Sequence, residues 1–217
     1  MQKEIQMTFK APYYTKGKVS EKTRHIWVVF HGYGQLSRFF MRRFDFLDEE
    51  THLVIAPQGL SRFYLDKEYK KVGATWMTRE ERQTDIDNQF SYLDAVLEAE
   101  AANVDWDNVQ LHLFGFSQGV ATMTRWAVSR QLPFKSLTFW AGKMPDEFVK
   151  EQFLFVNPEA SVYMVLGDQD HLGSFIDLDA QVEMVTQLLK KPDVIRFEGG
   201  HEVKREVLKA IVLNELE

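Results

Sequence analysis

The sequence predicts an α/β fold in which a mostly parallel sheet is covered by helices on both faces. Short apolar runs typical of buried strands alternate along the chain with segments whose apolar residues recur at helical spacing. Parallel neighbours in a sheet need long crossover connections, and the intervening helices provide them. The chain has 217 residues, 45% of them hydrophobic, which is enough for one sizeable core. We therefore expect one domain over residues 1–217.

The predicted strands are short and rich in β-branched and aromatic residues, which fit a pleated, buried surface. Residues 5–9 alternate between apolar and polar side chains, which predicts an edge strand, and the turn residues Pro12 and Gly17 follow it. Further strands are expected over residues 25–30, 52–56, 109–116, 137–141, 161–166 and 193–197.

Helices are expected between these strands, over residues 36–46, 120–128, 177–190 and 202–213. One more begins near Thr84, where a hydroxyl and acidic residues suit a helix N-terminus. Apolar residues at helical spacing predict core-facing stripes: Phe39, Phe40 and Phe44; Ile86, Phe90, Leu93 and Leu97; and Leu178, Val182, Val185 and Leu189. Residues 60–77 lack clear periodicity and mix aromatic with charged side chains, which is consistent with a flap over a site or with an irregular surface loop.

A serine lies in a tight turn between a predicted strand and a predicted helix. The segment Gly115-Phe116-Ser117-Gln118-Gly119 matches the nucleophile elbow, in which a sharp turn lifts a serine hydroxyl out of the sheet. The flanking glycines let neighbouring backbones pass closely. The alternative is that Ser117 merely caps the following helix, as serine often does.

Glycines also follow the predicted strand over residues 25–30, in the segment His31-Gly32-Tyr33-Gly34-Gln35. A turn of this kind exposes backbone N–H groups. Such fixed donors are what an oxyanion hole needs to stabilise the negative charge of a tetrahedral intermediate. The pentapeptide alone is equally consistent with a plain glycine-rich turn.

An acid and a histidine follow Ser117 in the order Ser, acid, His, which is the chain order of α/β-hydrolases. Asp170 follows one predicted strand, with Asp168 as the alternative acid, and His201 follows the last strand after two glycines. Loops after parallel strands meet at one edge of the sheet. A histidine there can take the serine proton, and a carboxylate can hold the imidazole in the right tautomer.

The other five histidines fit this role less well. Three of them, His25, His52 and His112, lie in or at the start of predicted strands, where a structural, hydrogen-bonded histidine is expected. His31 belongs to the glycine-rich segment, and His171 precedes the last strand. We therefore predict His201 as the base.

At these residues the sequence resembles the phospholipase/carboxylesterase family of α/β-hydrolases, which includes bacterial carboxylesterases and is similar to the acyl-protein thioesterases. The resemblance begins near Trp27 and rests on His31-Gly32-Tyr33-Gly34, Ala56-Pro57-Gln58, Trp76, Gly115-Phe116-Ser117-Gln118-Gly119, Gly167-x-x-Asp170 and Gly199-Gly200-His201.

The resemblance implies the α/β-hydrolase fold and a role for each site residue. Ser117 would be the nucleophile, Asp170 the acid and His201 the base. Backbone N–H groups of Tyr33 and Gln118 would form the oxyanion hole, and Trp76 would lie near the acyl site. The chain departs from the family pattern at Gln35, at Val120 and around Asp170, where Leu166-Gly167 and Leu172-Gly173 stand. These departures keep the reacting groups and change the surroundings of the substrate.

Composition excludes several other classes. The net charge of −6 argues against a broad surface for nucleic acid or anionic membrane, and the basic pairs Arg42-Arg43 and Lys70-Lys71 are expected to be solvated. The absence of cysteine excludes disulfides, thiolate metal sites and a cysteine nucleophile. No apolar run suits a secretory signal or stable membrane insertion, so a cytoplasmic location is expected.

The sequence therefore predicts a serine carboxylesterase that cleaves small-molecule esters, including thioesters, without a metal or organic cofactor. A lysophospholipase, lactonase, peptidase or acyltransferase on the same scaffold is the main alternative, because one triad serves all of these reactions. A non-catalytic binding protein is a further alternative. The acyl chain length, the leaving group and any homo-oligomer are not determined by the sequence.

Overall fold

The computed structural model describes residues 1, 3–171 and 176–215, and nine strands occur in this part of the chain. They are β1 (Tyr13–Lys16), β2 (His25–Phe30), β3 (His52–Pro57), β4 (Ser61–Tyr64), β5 (Val72–Thr75), β6 (Gln110–Phe116), β7 (Phe134–Trp140), β8 (Ser161–Gly167) and β9 (Asp193–Phe197). Seven strands form one sheet in the order β1-β3-β2-β6-β7-β8-β9, and β4 and β5 form a separate two-stranded sheet. All pairs in the large sheet are parallel except β1 with β3. The predicted parallel α/β sheet is thus confirmed.

The edge strand lies later in the chain than predicted. Residues 5–9 are outside any strand, and Ile5, Met7 and Phe9 are all exposed. The alternation at residues 5–9 has no buried face, so nothing fixes it to the sheet. Tyr13 instead begins the edge strand β1, opposite Pro57, and its hydroxyl donates to the Glu100 carboxylate at 2.8 Å.

Helices cover both faces of the large sheet. They are α1 (Ser37–Phe40), which continues as a 3₁₀ turn over Met41–Phe44, α2 (Arg82–Ala101), α3 (Gln118–Arg130), α4 (Leu178–Leu188) and α5 (Arg205–Asn214), with another 3₁₀ turn over Lys150–Phe153. One buried cluster joins the sheet to α2, α3 and α4, and the other joins it to α1 and α5. Each helix has an apolar stripe, and burying that stripe on the sheet provides most of its stability.

Two details of the helices differ from the prediction. Phe40 and Phe44 are buried, but Phe39 is exposed. The helix α1 has a single turn, so adjacent phenylalanines point in different directions and cannot all face the sheet. The helix α2 begins at Arg82 rather than near Thr84, whose hydroxyl donates to Glu4 instead of capping the helix. Its predicted stripe is confirmed, since Ile86 and Leu93 are buried.

The region between residues 60 and 77 is built around the β4–β5 hairpin, an element that periodicity did not reveal. The hairpin is tied to the loop that follows β2: the Gly34 N–H donates to the Ala74 carbonyl at 2.8 Å, and the Ala74 N–H donates to Gln35 at 3.2 Å. Gly73 permits this contact, because a Cβ there would lie 2.4 Å from the Gly34 oxygen. The hairpin therefore supports the glycine-rich loop.

Candidate active site

The predicted site residues meet at the carboxyl edge of the parallel strands. Ser117 follows β6, Asp170 follows β8 and His201 follows β9, while the loop 31–35 follows β2. Ser117 and His201 line one pocket of about 470 Å³. The other lining residues are Gly32, Tyr33, Gln35, Phe116, Gln118, Ala121, Ala141, Gly142, Lys143 and Ile176.

Ser117 has the backbone conformation of a nucleophile elbow. Its φ of 53° and ψ of −120° lie in a region that residues other than glycine rarely adopt. Gly115 and Gly119 make the turn possible, since a Cβ at Gly115 would lie 2.6 Å from Val120 and one at Gly119 would lie 2.4 Å from the Phe30 oxygen. The Ser117 side chain makes no capping hydrogen bond to α3, whose residues are all described. The helix-cap interpretation is therefore wrong.

His201 is held by a buried carboxylate. Its Nδ1 lies 2.8 Å from Asp170 Oδ2, and the Asp170 side chain is 1% exposed whereas the imidazole is 20% exposed. A carboxylate accepts, so Nδ1 carries the proton and Nε2 is the basic nitrogen of the neutral ring. The Phe116 ring, 4.9 Å from the His201 ring, fixes the imidazole from the side. The His201 imidazole thus has the tautomer that a general base requires.

Asp168, the alternative acid, has another role. It is exposed, and its Oδ1 accepts the Gly199 N–H at 3.0 Å, which joins the loop after β8 to the loop after β9. Asp168 thus holds the loop that carries His201, whereas Asp170 contacts the imidazole itself. The sequence left both acids open, and the geometry selects Asp170 as the partner of His201.

His31 is buried beneath the glycine-rich loop. Its Nε2 accepts the Gly59 N–H at 3.0 Å, so its Nδ1 is the donor to the Gly32 carbonyl at 2.8 Å. Burial lowers the pKa of His31 to about 4, so the ring is neutral at pH 7. His31 therefore connects this loop to the turn after β3. The pentapeptide is therefore a loop held by the hydrogen bonds of His31, whereas a plain glycine-rich turn would lack this connection.

Tyr33 and Gln118, whose backbone N–H groups are expected to form an oxyanion hole, both line the pocket that contains Ser117. Gln118 is the first residue of α3, so its N–H has no partner within the helix. In the described ranges neither the Tyr33 N–H nor the Gln118 N–H donates to a protein acceptor. The neighbouring Gly32 N–H, in contrast, is occupied by the Gln35 side chain at 3.0 Å.

The Gln118 side chain has a role that the sequence did not reveal. Its Oε1 accepts the Trp76 N–H at 3.1 Å, and its Nε2 donates to the Met77 carbonyl at 2.9 Å. It also exchanges a hydrogen bond with the Thr75 hydroxyl. The first turn of α3 is thereby fastened to the end of the hairpin, which holds the Gln118 N–H in place.

Trp76 lies beneath the site and does not line the pocket that contains Ser117. Its side chain is fully buried in the core, its Nε1 donates to the His31 carbonyl at 2.8 Å, and its ring stacks on the His31 ring at 4.8 Å. In this structure the contacts of Trp76 support the loop that carries Tyr33, and its expected position near an acyl group stays a prediction. The indole N–H needs a buried acceptor, and the His31 carbonyl supplies it.

A strained serine at a strand-to-helix turn and an Asp-bound histidine at the same sheet edge define an α/β-hydrolase. The whole-chain comparison agrees: residues 18–213 match the phospholipase/carboxylesterase family model. The chain belongs to this family of ester-hydrolysing enzymes. No curated protein sequence matches the chain significantly.

Solved structures of this class share the fold at low sequence identity. Acyl-protein thioesterase 2 of Zea mays superposes with a TM-score of 0.70 at 14% identity, covering 96% of this chain and 100% of its own. A phospholipase/carboxylesterase of Dyadobacter fermentans gives a TM-score of 0.67 at 15% identity, with coverage of 98% and 99%. A carboxylesterase of Mesorhizobium loti gives 0.66 at 14% identity, with coverage of 94% of each chain.

Across residues 1, 3–171 and 176–215, no three metal-ligating side chains are grouped so that they could hold an ion. No helix in these ranges is long and apolar enough to cross a membrane.

Proposed function

We propose that the protein is a serine carboxylesterase that hydrolyses carboxylic esters through an acyl-serine intermediate, with Ser117, His201 and Asp170 as its triad. The observation that carries the proposal is the 2.8 Å contact between His201 and buried Asp170 in the pocket that Ser117 lines. A serine hydroxyl is a weak nucleophile unless a base takes its proton during attack. His201 in its Nδ1–H tautomer supplies that base.

The reaction then proceeds in two halves. Ser117 Oγ attacks the ester carbonyl while its proton moves to His201 Nε2. The C–O bond to the leaving group breaks, and His201 returns the proton to the departing alkoxide. Water, activated by the same imidazole, attacks the acyl-serine and releases the acid. Asp170 stays ionised and stabilises the imidazolium in both halves.

The Tyr33 and Gln118 N–H groups form the oxyanion hole of this proposal. Negative charge develops on the carbonyl oxygen only in the tetrahedral state, so donors fixed in advance lower the barrier. Trp76 and His31 hold the Tyr33 loop from below, and the Gln118 side chain holds the other donor. The support is the two available N–H groups beside Ser117 and the hydrogen bonds that fix both segments.

Thioesters belong to the same proposal. A thiolate leaves more readily than an alkoxide and depends less on protonation by His201. One structural neighbour is named an acyl-protein thioesterase. The same attack, oxyanion and acyl-serine steps therefore apply to both ester types.

Hydrolysis of p-nitrophenyl esters from acetate to palmitate tests the proposal. We expect release of p-nitrophenol by the wild-type protein and loss of this activity in Ser117→Ala. Ser129→Ala is the matched control, because Ser129 is an exposed serine on the same helix α3. Activity that persists in Ser117→Ala would refute the nucleophile, and a wild-type protein inert towards every ester would favour a binding protein.

A further inference from the structure

A second cavity, of about 500 Å³, adjoins the active-site pocket. It lies between α1 and the β4–β5 hairpin, and Gln35 lines both cavities. Its walls include four basic residues, Arg38, Arg43, Lys70 and Lys71. We call this cavity the cationic pocket. Phe39, Leu65 and Val72 add apolar surface to the same walls.

The positive charge of the cationic pocket is mostly uncompensated. Its described lining contains no acidic residue, although the whole chain has a net charge of −6. Glu68 pairs with Lys70 at 2.6 Å outside the lining. Arg38, Arg43 and Lys71 form no ion pair within 4 Å among the described residues.

The acidic residues near the pocket are occupied or more distant. The Asp66 carboxylate accepts the Lys70 and Lys71 backbone N–H groups at 3.0 and 2.8 Å, so it closes the hairpin turn. Glu202 attracts Arg43 electrostatically without forming an ion pair. The cavity therefore contains cationic side chains that can bind an anion.

Arg43 belongs to the pair Arg42-Arg43, which the sequence predicts to be solvated, but its surroundings differ from that expectation. It is half-buried, and its guanidinium lies over the Phe40 ring at 5.1 Å. Burial lowers the pKa of Arg43 below its ordinary value, since removal from water disfavours the charged form. A partly desolvated guanidinium without an ion-pair partner gains from an anion that makes charge-assisted hydrogen bonds.

The cationic pocket is connected to the reacting groups by direct contacts. Phe40 stacks on Phe116 with ring centres 6.1 Å apart, and Phe116 lies 4.9 Å from the His201 ring. Gln35, which lines both cavities, binds the Gly32 N–H of the loop beside Ser117. A ligand that fills the cationic pocket and an ester at Ser117 would thus both lie against Gln35.

We propose that the cationic pocket binds an anionic group of the substrate, a carboxylate or a phosphate, while the ester carbonyl of the same molecule lies at Ser117. This inference rests on the proposed function. The guanidinium groups of Arg38 and Arg43 can each bind two oxygens of either anion, and Lys71 adds a point charge. The apolar walls accept the carbon chain between the charge and the ester.

Matched esters test the preference. The p-nitrophenyl monoester of adipic acid and p-nitrophenyl hexanoate have the same chain length and differ by a terminal carboxylate. We expect kcat/KM for the adipate to exceed that for the hexanoate by about 10-fold at low salt, as one charge-assisted contact implies. The ratio should fall as salt screens the charges. Hexanoyl glycerol phosphate against hexanoyl glycerol repeats the comparison for phosphate.

Substitutions assign the effect to the pocket. Arg43→Gln should lower the ratio of the two kcat/KM values by about 10-fold, and the exposed Arg38→Gln should lower it without risk to folding. Lys67→Gln is the control, because Lys67 is an exposed lysine of the same hairpin region outside the lining. A ratio that is unchanged in both arginine variants would overturn the proposal.

The two proposals fail in different ways. If the hexanoate is hydrolysed through Ser117 and the ratio is one or less, only the cationic pocket is refuted. If no ester is hydrolysed, equilibrium binding of both esters to Ser117→Ala protein still decides whether the anion is preferred. A preference that exists only for esters embedded in phosphatidylglycerol vesicles would refute the pocket in favour of membrane docking.

Discussion

The molecule brings serine, histidine and a carboxylate together at both ends of its sheet. At the carboxyl edge stand Ser117, His201 and Asp170. Near the amino ends of the strands, His112 Nδ1 lies 2.8 Å from Ser136 Oγ and 4.0 Å from Glu215. Similar residue types thus meet twice, in settings that differ in access and in hydrogen bonding.

The amino-end group is sealed. His112 and Ser136 are fully buried, and the Glu215 carboxylate accepts a hydrogen bond from the Tyr163 hydroxyl at 2.5 Å. The remaining ring nitrogen of His112, Nε2, lies 3.0 Å from His25 Nδ1 rather than facing a pocket. Substrate cannot reach this serine, because Ser136 and His112 are both fully buried. The hydrogen bonds here stabilise the fold.

The carboxyl-edge group differs from the amino-end group in both access and hydrogen bonding. The elbow lifts Ser117 into a pocket that His201 also lines, and Asp170 binds the imidazole directly. A serine near a histidine therefore defines no active site by itself. A strained turn, an accessible cavity and an oriented imidazole distinguish the catalytic end from the structural end.

Replacing the histidines separates the two ends most strongly. His201→Ala should lower kcat/KM by about 10⁴ to 10⁶, because the base that activates Ser117 is lost. His112→Ala should lower the free energy of unfolding by about 2–4 kcal/mol, through a cavity and broken buried hydrogen bonds, with kcat of the folded enzyme retained. Ester kinetics and urea unfolding measure both. Equal losses of activity in the two variants would refute the distinction.

The two aspartates after β8, Asp168 and Asp170, allow a second test, of which carboxylate acts on the imidazole. Asp170→Asn keeps the shape of the side chain and favours the wrong imidazole tautomer, so kcat should fall by about 10⁴. Asp168→Asn should cost less than 10-fold, because Asp168 holds the Gly199 backbone rather than the imidazole. A larger loss in Asp168→Asn than in Asp170→Asn would reverse our assignment of the acid.

Removing one backbone donor tests the oxyanion hole. Tyr33→Pro deletes the N–H and should lower kcat by about 10² to 10³. Tyr33→Ala keeps the N–H and removes only an exposed ring that packs on Phe63, so its loss should be much smaller. Circular dichroism verifies that both variants fold. Comparable kinetics in the two variants would show that the Tyr33 N–H is not used.

The buried histidines make stability depend on pH. Burial lowers the pKa of His25 to about 4 and lowers that of His112 well below its ordinary value. In the unfolded chain both titrate near 6.5, so the unfolded state binds more protons as the pH falls below this value. The free energy of unfolding should thus decrease by about 2–4 kcal/mol from pH 7 to pH 5.

A substitution assigns this decrease to the amino end. His112→Gln removes one titrating group, so urea unfolding at pH 7, 6 and 5 should give a shallower dependence than the wild type. His171→Gln is the control, because His171 is exposed and outside the amino-end group. An identical slope in wild-type and His112→Gln protein would show that His112 does not contribute to the decrease.

The sequence predicts the parts of this site that depend on local patterns. The elbow is a five-residue motif whose glycines are required by backbone contacts, and Asp170 and His201 each follow a recognisable strand. Asp170 and Asp168 could not be separated, because the choice depends on how the loops after β8 and β9 pack together. Local periodicity also placed the edge strand too early, since it carries no information about which face is buried.

Other features depend on contacts between distant parts of the chain. Trp76 and its acceptor His31 are joined only when the hairpin packs on the loop after β2, so local pattern could not predict that Trp76 is fully buried. Arg43 belongs to a charged pair expected to be solvated, and its half-burial follows from its packing on Phe40. Hydrophobic pattern identifies elements, whereas tertiary packing decides which side chains line a cavity.

Stoichiometric labelling with a fluorophosphonate, followed by peptide mass spectrometry, tests directly whether Ser117 is the nucleophile. We predict one phosphonyl group per chain, located on Ser117, and no label in Ser117→Ala or on Ser136. Slower labelling is expected in His201→Ala, since the base activates the serine. Label on another residue, or none on wild-type protein that hydrolyses esters, would contradict an acyl-serine mechanism at the carboxyl edge.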